Sequence, residues 1–251
     1  MLVTSTPAPD LLWAGAAGAP VLVLAHGAGA AMDSVWMNRM CELLGERGIR
    51  TARFEFAYMA ARRTGTRKPP PRAETLLGEY RAAVGAVRDV LVAEAPAAAS
   101  ASASAETPAP ASSASAPAPD APRVAIGGKS MGGRVASMVA DELFDDGAVS
   151  ALVCFGYPFH PPGSPEKLRT AHLESLRTPA LILQGSRDPF GTREEVPAYP
   201  LAPGIRVSWL EDGEHEFKPR VKVSGYTHAE HLATAATEAA TFVSETASPR
   251  L

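Results

Sequence analysis

The chain is poor in cysteine and in long uninterrupted hydrophobic runs. Its two cysteines, Cys41 and Cys154, cannot build a disulfide framework and have no paired spacing for zinc. Such a chain suits a reducing compartment, so we expect a cytoplasmic protein. The uncharged stretch 11–32 is interrupted by four glycines, a proline and a histidine, and no basic segment precedes it. We therefore expect neither a membrane-spanning helix nor a signal peptide.

An excess of charge of one sign is also absent. A formal net charge of −3 at pH 7 gives no general attraction to nucleic acid or to an anionic membrane. We therefore expect no nucleic-acid and no membrane partner, and the oligomeric state stays open. At 251 residues the chain is long enough for one α/β domain or for two small ones.

Buried strands and amphipathic helices alternate along the chain. Apolar runs that predict central strands lie at 21–25, 49–56, 124–129, 149–155, 180–184 and 205–210. Helical periodicity lies between them, at 33–48 with Asp33 as its cap, and at 74–93, 131–143, 166–176 and 226–244, while 59–73 is expected to form a loop. The alternation predicts an α/β fold with a doubly wound, mostly parallel sheet.

One segment departs from this alternation. Of the 28 residues from 95 to 122, 13 are alanine, six are serine and six are proline. Such a composition cannot bury enough apolar surface to offset the entropy of ordering. We interpret the segment as a disordered insertion in a single domain that spans 1–251, because neither flank is long enough to stand alone.

The stretch around Ser130 carries the first chemical signal. Residues 124–143 predict a strand, a sharp turn and a helix, and Gly128 and Gly132 flank the serine in the pattern GxSxG. In a nucleophile elbow the serine holds a strained backbone, and the residues two before and two after it must be small. The letters GKS also end a phosphate-binding loop, but that motif needs a glycine where Arg123 stands.

Three further polar signals follow buried strands. They are His26 in HGAGA, Asp188 in GSRDPFG and His215 in DGEHEF. The carboxyl ends of parallel strands meet at one edge of a sheet, so these side chains are expected near Ser130. The order serine, aspartate, histidine is that of the α/β-hydrolase triad.

Six stretches carry a resemblance to a known family: LAHGAGA, RFEFAYMAARR, GGKSMGGRVASMVADEL, GYPFHPPGSPEKLRTAHL, LILQGSRDPFGTREEV and DGEHEFKPR. With them the chain resembles the α/β-hydrolases of the dienelactone-hydrolase-like kind. It more closely resembles a bacterial branch whose eukaryotic relatives include a subunit of a histone acetyltransferase complex. The resemblance extends from about residue 21 to residue 220 and implies Ser130 as nucleophile, Asp188 as acid and His215 as base. It supplies no substrate.

These roles predict a serine hydrolase that needs no cofactor and no metal. A serine hydroxyl is a poor nucleophile at neutral pH, so a histidine must take its proton and an acid must orient that histidine. Glu194 and Glu195 are the reserve candidates for the acid. The expected reaction is cleavage of a carboxylic ester, thioester or lactone of a small molecule through an acyl-enzyme. The alternative is a non-catalytic binding or scaffold protein that retains the hydrolase fold.

The oxyanion of such a reaction needs two backbone donors. Met131 follows the nucleophile directly and is expected to supply one, and Ala28 in the HGAGA turn is expected to supply the other. His26 is expected to brace that turn by hydrogen bonding. No long cap fits between 155 and 180, so we expect a minimal lid.

Two loops are candidates for substrate binding. Arg62 and Arg63 belong to a basic stretch that is either a solvated loop or a site for a carboxylate or phosphate of the substrate. Tyr157 and His160, with Phe159, either line the acyl pocket or hold a proline-rich loop together.

Overall fold

The computed structural model describes residues 9–66, 68–95 and 122–247. Within these residues one sheet of seven strands has the order β1-β3-β2-β4-β5-β6-β7. Its strands are β1 (Leu12–Ala14), β2 (Val21–Ala25), β3 (Arg50–Phe54), β4 (Val124–Lys129), β5 (Val149–Phe155), β6 (Ala180–Gly185) and β7 (Ile205–Leu210). The edge strand β1 pairs antiparallel with β3, and the remaining neighbours pair parallel.

Helices cover both faces of the sheet. They are α1 (Val35–Gly45), α2 (Ala57–Arg63), α3 (Leu77–Glu94), α4 (Met131–Asp145), α5 (Val221–Ser224) and α6 (His228–Ala247). One core cluster joins side chains of α3 and α4 to Val23 on β2. The other joins side chains of α1 and α6 to Leu22 and Leu24 of the same strand. Successive residues of a strand point to opposite faces, so the predicted doubly wound, mostly parallel sheet is confirmed.

The central strands lie where their apolar runs predict them. β2, β5 and β7 have the predicted bounds, and β4 leads into α4 through Ser130. Because α4 begins directly after the turn, the serine lies at the carboxyl end of a central strand. The predicted disorder of the low-complexity insertion concerns residues outside the described ranges, except at its two ends.

Three local predictions are wrong. The segment 59–73 begins with α2 instead of loop, and Ser34 caps α1 in place of Asp33, since its Oγ accepts the Met37 N–H at 3.5 Å. The predicted helix 166–176 contains only a short 3₁₀ turn at Ala171–Leu173. There the Arg169 N–H donates to the Phe159 carbonyl at 2.7 Å. A partner in the preceding loop replaces the carbonyl that a helix would have supplied.

The two cysteines and the uncharged stretch 11–32 have ordinary places in the fold. Cys41 in α1 and Cys154 in β5 are buried, unpaired thiols. The uncharged stretch 11–32 forms β1, a turn, β2 and the loop before α1. Along the described ranges of the chain, no helix is both long and apolar enough to cross a membrane.

Candidate active site

The turn between β4 and α4 holds Ser130 in a strained conformation. Its φ is 51° and its ψ is −116°, a combination that a non-glycine residue rarely adopts. A Cβ on Gly128 would lie 2.6 Å from the Ala25 carbonyl oxygen, and one on Gly132 would lie 2.5 Å from the same atom. Both flanking glycines are therefore required, because strand and helix approach each other too closely for any side chain.

A chain of hydrogen bonds runs from Ser130 into the core. His215 Nε2 lies 2.9 Å from Ser130 Oγ, and His215 Nδ1 lies 2.8 Å from Asp188 Oδ2. Asp188 is fully buried, and its other oxygen accepts the Phe190 N–H at 2.9 Å. The carboxylate therefore fixes the imidazole in the tautomer whose Nε2 can accept the serine proton.

Two loops approach closely to bring the acid and the histidine together. A Cβ on Gly185, at the end of β6, would lie 2.4 Å from the Gly213 carbonyl oxygen. Lys129 supports the histidine loop from below, since its Nζ donates to the His215 carbonyl at 2.8 Å and lies 3.2 Å from Glu216 Oε1. Burial lowers the pKa of Lys129, and Glu216 opposes that shift.

The two expected oxyanion donors lie beside the serine. Met131 opens α4, so its N–H belongs to the first turn, where N–H groups have no carbonyl partner within the helix. Ala28 lines the same cleft as Ser130 and Met131. The Tyr58 hydroxyl donates to the Ala28 carbonyl at 3.0 Å, which holds this turn from its other side.

His26 is completely buried below that turn. Its Nε2 accepts the Phe56 N–H at 3.2 Å, so Nδ1 carries the proton and donates to the Gly27 carbonyl at 2.7 Å. Burial lowers the pKa of His26 and keeps the ring neutral. The imidazole joins the HGAGA turn to the end of β3 and does not reach the serine through any hydrogen bond within the described residues.

A cleft of about 410 Å³ opens above the serine. Apart from Ser130, Met131 and Ala28, its walls consist of prolines, one alanine, one phenylalanine and a group of charged side chains: Pro70, Pro71, Pro158, Ala73, Phe190, Arg72, Arg134, Arg169 and Glu74. Three arginines against one glutamate give the cleft a net positive lining. A small substrate with a negative charge is complementary to such a surface.

The structure places Arg62 and Arg63 outside this cleft. Arg63 donates to both oxygens of Glu55 at 2.7 Å and lies 2.9 Å from Asp33. Arg62 donates to the Lys68 carbonyl at 2.9 Å, with its guanidinium over the Tyr58 ring. Neither arginine lines the cleft, so the interpretation of the basic stretch as a solvated loop describes Arg62 and Arg63. Arg72 is the residue of this stretch that lines the cleft, and the anion-binding interpretation applies to it.

Tyr157 and His160 support the wall of the cleft from behind. Tyr157 is fully buried and its hydroxyl donates to the Arg169 carbonyl at 3.0 Å. His160 is buried between the Pro161 carbonyl, 2.9 Å from Nδ1, and Glu195, 3.4 Å from Nε2. Both hold the proline-rich loop, and the expectation that they line the acyl pocket does not agree with their burial.

The reserve acids take no part in the hydrogen-bonded chain. Glu195 accepts the Thr192 N–H at 2.8 Å, which lowers its pKa, and it faces His160 instead of His215.

Sequence reasoning missed Arg134 and Arg169 as residues of the cleft. Arg134 lies in the first turn of the helix that is predicted to begin directly after Ser130, and this closeness to the nucleophile was a usable signal. Arg169 had none, because its place depends on hydrogen bonds with Tyr157 and Phe159 in the loop after β5.

Comparisons with known proteins agree with this architecture. A family model described as an alpha/beta hydrolase domain matches residues 18–244. The dienelactone hydrolase from Anabaena variabilis is similar over 94% of this chain and 91% of its own, with 17% identity and a TM-score of 0.60. An alpha-beta serine hydrolase homologue from Coxiella burnetii matches over 91% and 90%, with 17% identity and a TM-score of 0.58.

A third solved structure bears on the lid. The serine hydrolase without lid from Xanthomonas campestris matches over 98% of this chain and 94% of its own, with 14% identity and a TM-score of 0.61. At such identities the likeness establishes the fold alone. The family model matches most of the chain, and this match assigns the family. The chain therefore belongs to the alpha/beta hydrolase domain family.

Proposed function

We propose that this protein is a serine hydrolase that cleaves carboxylic ester, thioester or lactone bonds through an acyl-enzyme. The observation that carries the proposal is the hydrogen-bonded chain Ser130–His215–Asp188 at a strained elbow. Its distances of 2.9 and 2.8 Å lie within the range that proton transfer requires. Membership of the α/β-hydrolase family supports hydrolysis as the general reaction.

In the acylation step, Ser130 Oγ bonds to the carbonyl carbon while its proton passes to His215 Nε2. The imidazolium that forms is stabilised by the buried Asp188 carboxylate. Collapse of the tetrahedral intermediate breaks the bond to the leaving alcohol or thiol, and that group receives the proton from His215. Water then repeats the sequence on the acyl-enzyme and releases the acid.

The backbone N–H groups of Met131 and Ala28 are assigned to the oxyanion. Both residues line the cleft beside Ser130. Met131 adds the positive end of the α4 dipole, which favours negative charge on the carbonyl oxygen as attack proceeds. Rigid donors of this kind need no reorganisation during the reaction.

The test is labelling of the purified protein with a fluorophosphonate probe, together with p-nitrophenyl acetate turnover. Ser130→Ala and His215→Ala should lose labelling and lower turnover about a thousandfold or more, because each removes a member of one unit. Asp188→Asn should leave Ser130 in place and still slow turnover by a comparable factor, because the imidazole takes the wrong tautomer.

Ser208→Ala is the matched control, since this serine lies on β7 away from the hydrogen-bonded chain. It should label and turn over as the wild type does. Labelling that survives Ser130→Ala would contradict the assignment of the nucleophile. A well-folded wild-type protein that neither labels nor hydrolyses the ester would favour the scaffold alternative. The relationship to the histone acetyltransferase subunit stays a prediction of the sequence.

A further inference from the structure

We propose that the substrate carries a carboxylate in addition to its scissile bond, and that Arg169 binds this carboxylate with the assistance of Arg134. The proposal rests on the proposed function, because it names the substrate class of the same cleft. It also predicts binding, which can be measured without any turnover.

Arg134 is brought to the cleft by the helix that carries the nucleophile. Its N–H donates to the Ser130 carbonyl at 3.0 Å, so the two residues are one helical turn apart. Ser130 itself has non-helical dihedral angles, so Arg134 is placed by the first turn of α4, and both residues line the same cleft. A group bound by Arg134 therefore lies in the cleft that holds the reacting carbonyl.

Glu74 neutralises Arg134 only in part. Its Oε1 accepts from Arg134 Nη2 at 2.6 Å, while the Arg134 Nε–H is buried and has no hydrogen-bond partner in the described part of the chain. The Arg134 side chain is 17% exposed, against 51% for Glu74. A guanidinium in this state retains both charge and donors for a ligand.

Arg169 is held by its backbone and free at its side chain. Its N–H donates to the Phe159 carbonyl at 2.7 Å and its carbonyl accepts the Tyr157 hydroxyl at 3.0 Å. No acid among the described residues forms an ion pair with its guanidinium, the charge of Glu74 reaching it only at longer range. The loop thus presents a guanidinium on a fixed backbone to the cleft.

The two guanidinium groups oppose each other's charge. Burial lowers the pKa of Arg169, and the charge of Arg134 lowers it further. Two like charges in one partly desolvated cleft are unfavourable, and a bound anion relieves the repulsion. A planar carboxylate matches the fork of donors that a guanidinium offers, which favours this ligand.

The charge of the whole cleft agrees with an anionic substrate. Arg72 adds a third, exposed arginine to the lining, and Glu74 is the one acid among the described residues that line the cleft. The balance is therefore positive. Electrostatic attraction of an anionic ester raises its local concentration in a cleft with low-dielectric walls.

The first experiment compares matched ester pairs. One pair is p-nitrophenyl hydrogen adipate and p-nitrophenyl hexanoate, with the carboxylate on the acyl part. The other is 4-acetoxybenzoate and 4-acetoxytoluene, with the carboxylate on the alcohol part. After correction for uncatalysed rates, we expect kcat/KM to favour the anionic member of at least one pair about tenfold or more, which corresponds to about 1.4 kcal/mol.

Arg169→Met should lower that preference about tenfold, and Arg169→Lys should retain part of it, because lysine keeps the charge but loses the planar fork. Arg39→Met is the control, since Arg39 lies exposed on α1 beside Glu42. It should leave the preference unchanged. Raising the salt concentration from about 0.05 M to about 0.5 M should weaken the preference of the wild type by screening.

The second experiment measures binding with the nucleophile removed. Ser130→Ala should bind monomethyl adipate more tightly than dimethyl adipate in a calorimetric titration, and adding Arg169→Met should remove the difference. Turnover without any anionic preference, or a preference that survives Arg169→Met, overturns the proposal while the hydrolase function stands. Binding through Arg169 in a protein without turnover has the opposite meaning: the anion site stands and the hydrolase function fails.

Discussion

Two groups of arginines lie near the carboxyl ends of the strands, and they differ in what surrounds them. Arg63, with Arg62 beside it in α2, donates to Glu55 and lies against Asp33, so its charge is compensated within the protein. Arg134 and Arg169 share the partial compensation of a single exposed glutamate. Guanidinium groups of the same kind therefore have different tasks, because the acids around them decide where charge remains available.

The pKa values move in opposite directions in the two groups. The hydrogen bonds that Arg63 donates to Glu55 and then to Asp33 raise the pKa of Arg63. Burial and then the charge of Arg134 lower the pKa of Arg169. A cation that is paired at rest stabilises the fold, whereas a cation beside another cation favours a ligand.

The largest expected effect concerns the paired group. Glu55→Gln should lower the free energy of unfolding by about 2 kcal/mol, because the Glu55 carboxylate is 5% exposed and loses charge-assisted hydrogen bonds from Arg63. Chemical denaturation measures the change. The preference for an anionic ester should stay as in the wild type.

Glu42→Gln gives the matched comparison. Glu42 is 61% exposed and pairs with Arg39 at 3.2 Å on the surface of α1. Its loss should cost about 0.5 kcal/mol or less. Equal effects of the two substitutions would contradict the view that the Glu55 pair serves stability.

The next effect is a pH dependence of stability that arises at His172, a residue whose pKa responds to the charge of Arg134. His172 Nε2 lies 2.8 Å from Ser137 Oγ, and burial, then the charge of Arg134, lower its pKa from 6.5 to about 4. The unfolded chain takes up a proton near pH 6.5, and the folded chain does so only near pH 4. Stability is therefore complete above about pH 6.5 and is lost as the pH falls towards 4.

His172→Gln should remove this part of the loss. Between about pH 6.5 and about pH 5 we expect the wild type to lose on the order of 1 kcal/mol more than the variant, after allowance for partial exposure. Denaturation midpoints over this range provide the measurement, and His26 contributes equally to both proteins.

Arg134→Met removes a positive charge that lowers the pKa of His172. An NMR titration of this variant should therefore give a higher pKa for His172 than in the wild type. An unchanged value would contradict a positive cleft.

The smallest effect sharpens the comparison at a single acid. Glu74→Gln removes the negative charge beside Arg134, so the preference for an anionic ester should rise about threefold, which corresponds to about 0.6 kcal/mol. Asp33→Asn removes the equivalent surface acid beside Arg63 and should leave the preference unchanged. Ester competition assays measure both, and a preference that falls in Glu74→Gln would contradict the assignment of Arg134.

Local patterns were sufficient for most of the strands and helices and for the elbow. Gly128 and Gly132 indicated a close approach of strand and helix, and the structure shows contacts that no Cβ would permit. The segment 166–176 had an equally helical pattern, yet its backbone bonds to the loop at Phe159. Helical periodicity describes the chain alone, and a nearby carbonyl from another segment overrides it.

The candidate site was likewise predicted from the sequence only in part. Ser130, Asp188 and His215 follow strands, and parallel strands end at one edge of a sheet, so order and spacing in the chain predicted that they meet. Arg62 and Arg63 were candidates for anion binding because their basic stretch contains no acid and leaves the carboxyl end of a strand. Glu55, the partner of Arg63, follows β3 directly, and its neutralising position depends on how α2 packs.

By itself the sequence determined the fold class, the strained serine turn and the order of the three residues around it, because each depends on short-range sterics or on the direction of successive strands. Only the tertiary structure decided which arginines face the serine. Charge in a sequence is a property of single residues, whereas the electrostatic potential of a cleft depends on every acid within a few ångströms. Folding brings Glu55 to Arg63 and leaves Arg169 without such a partner among the described residues.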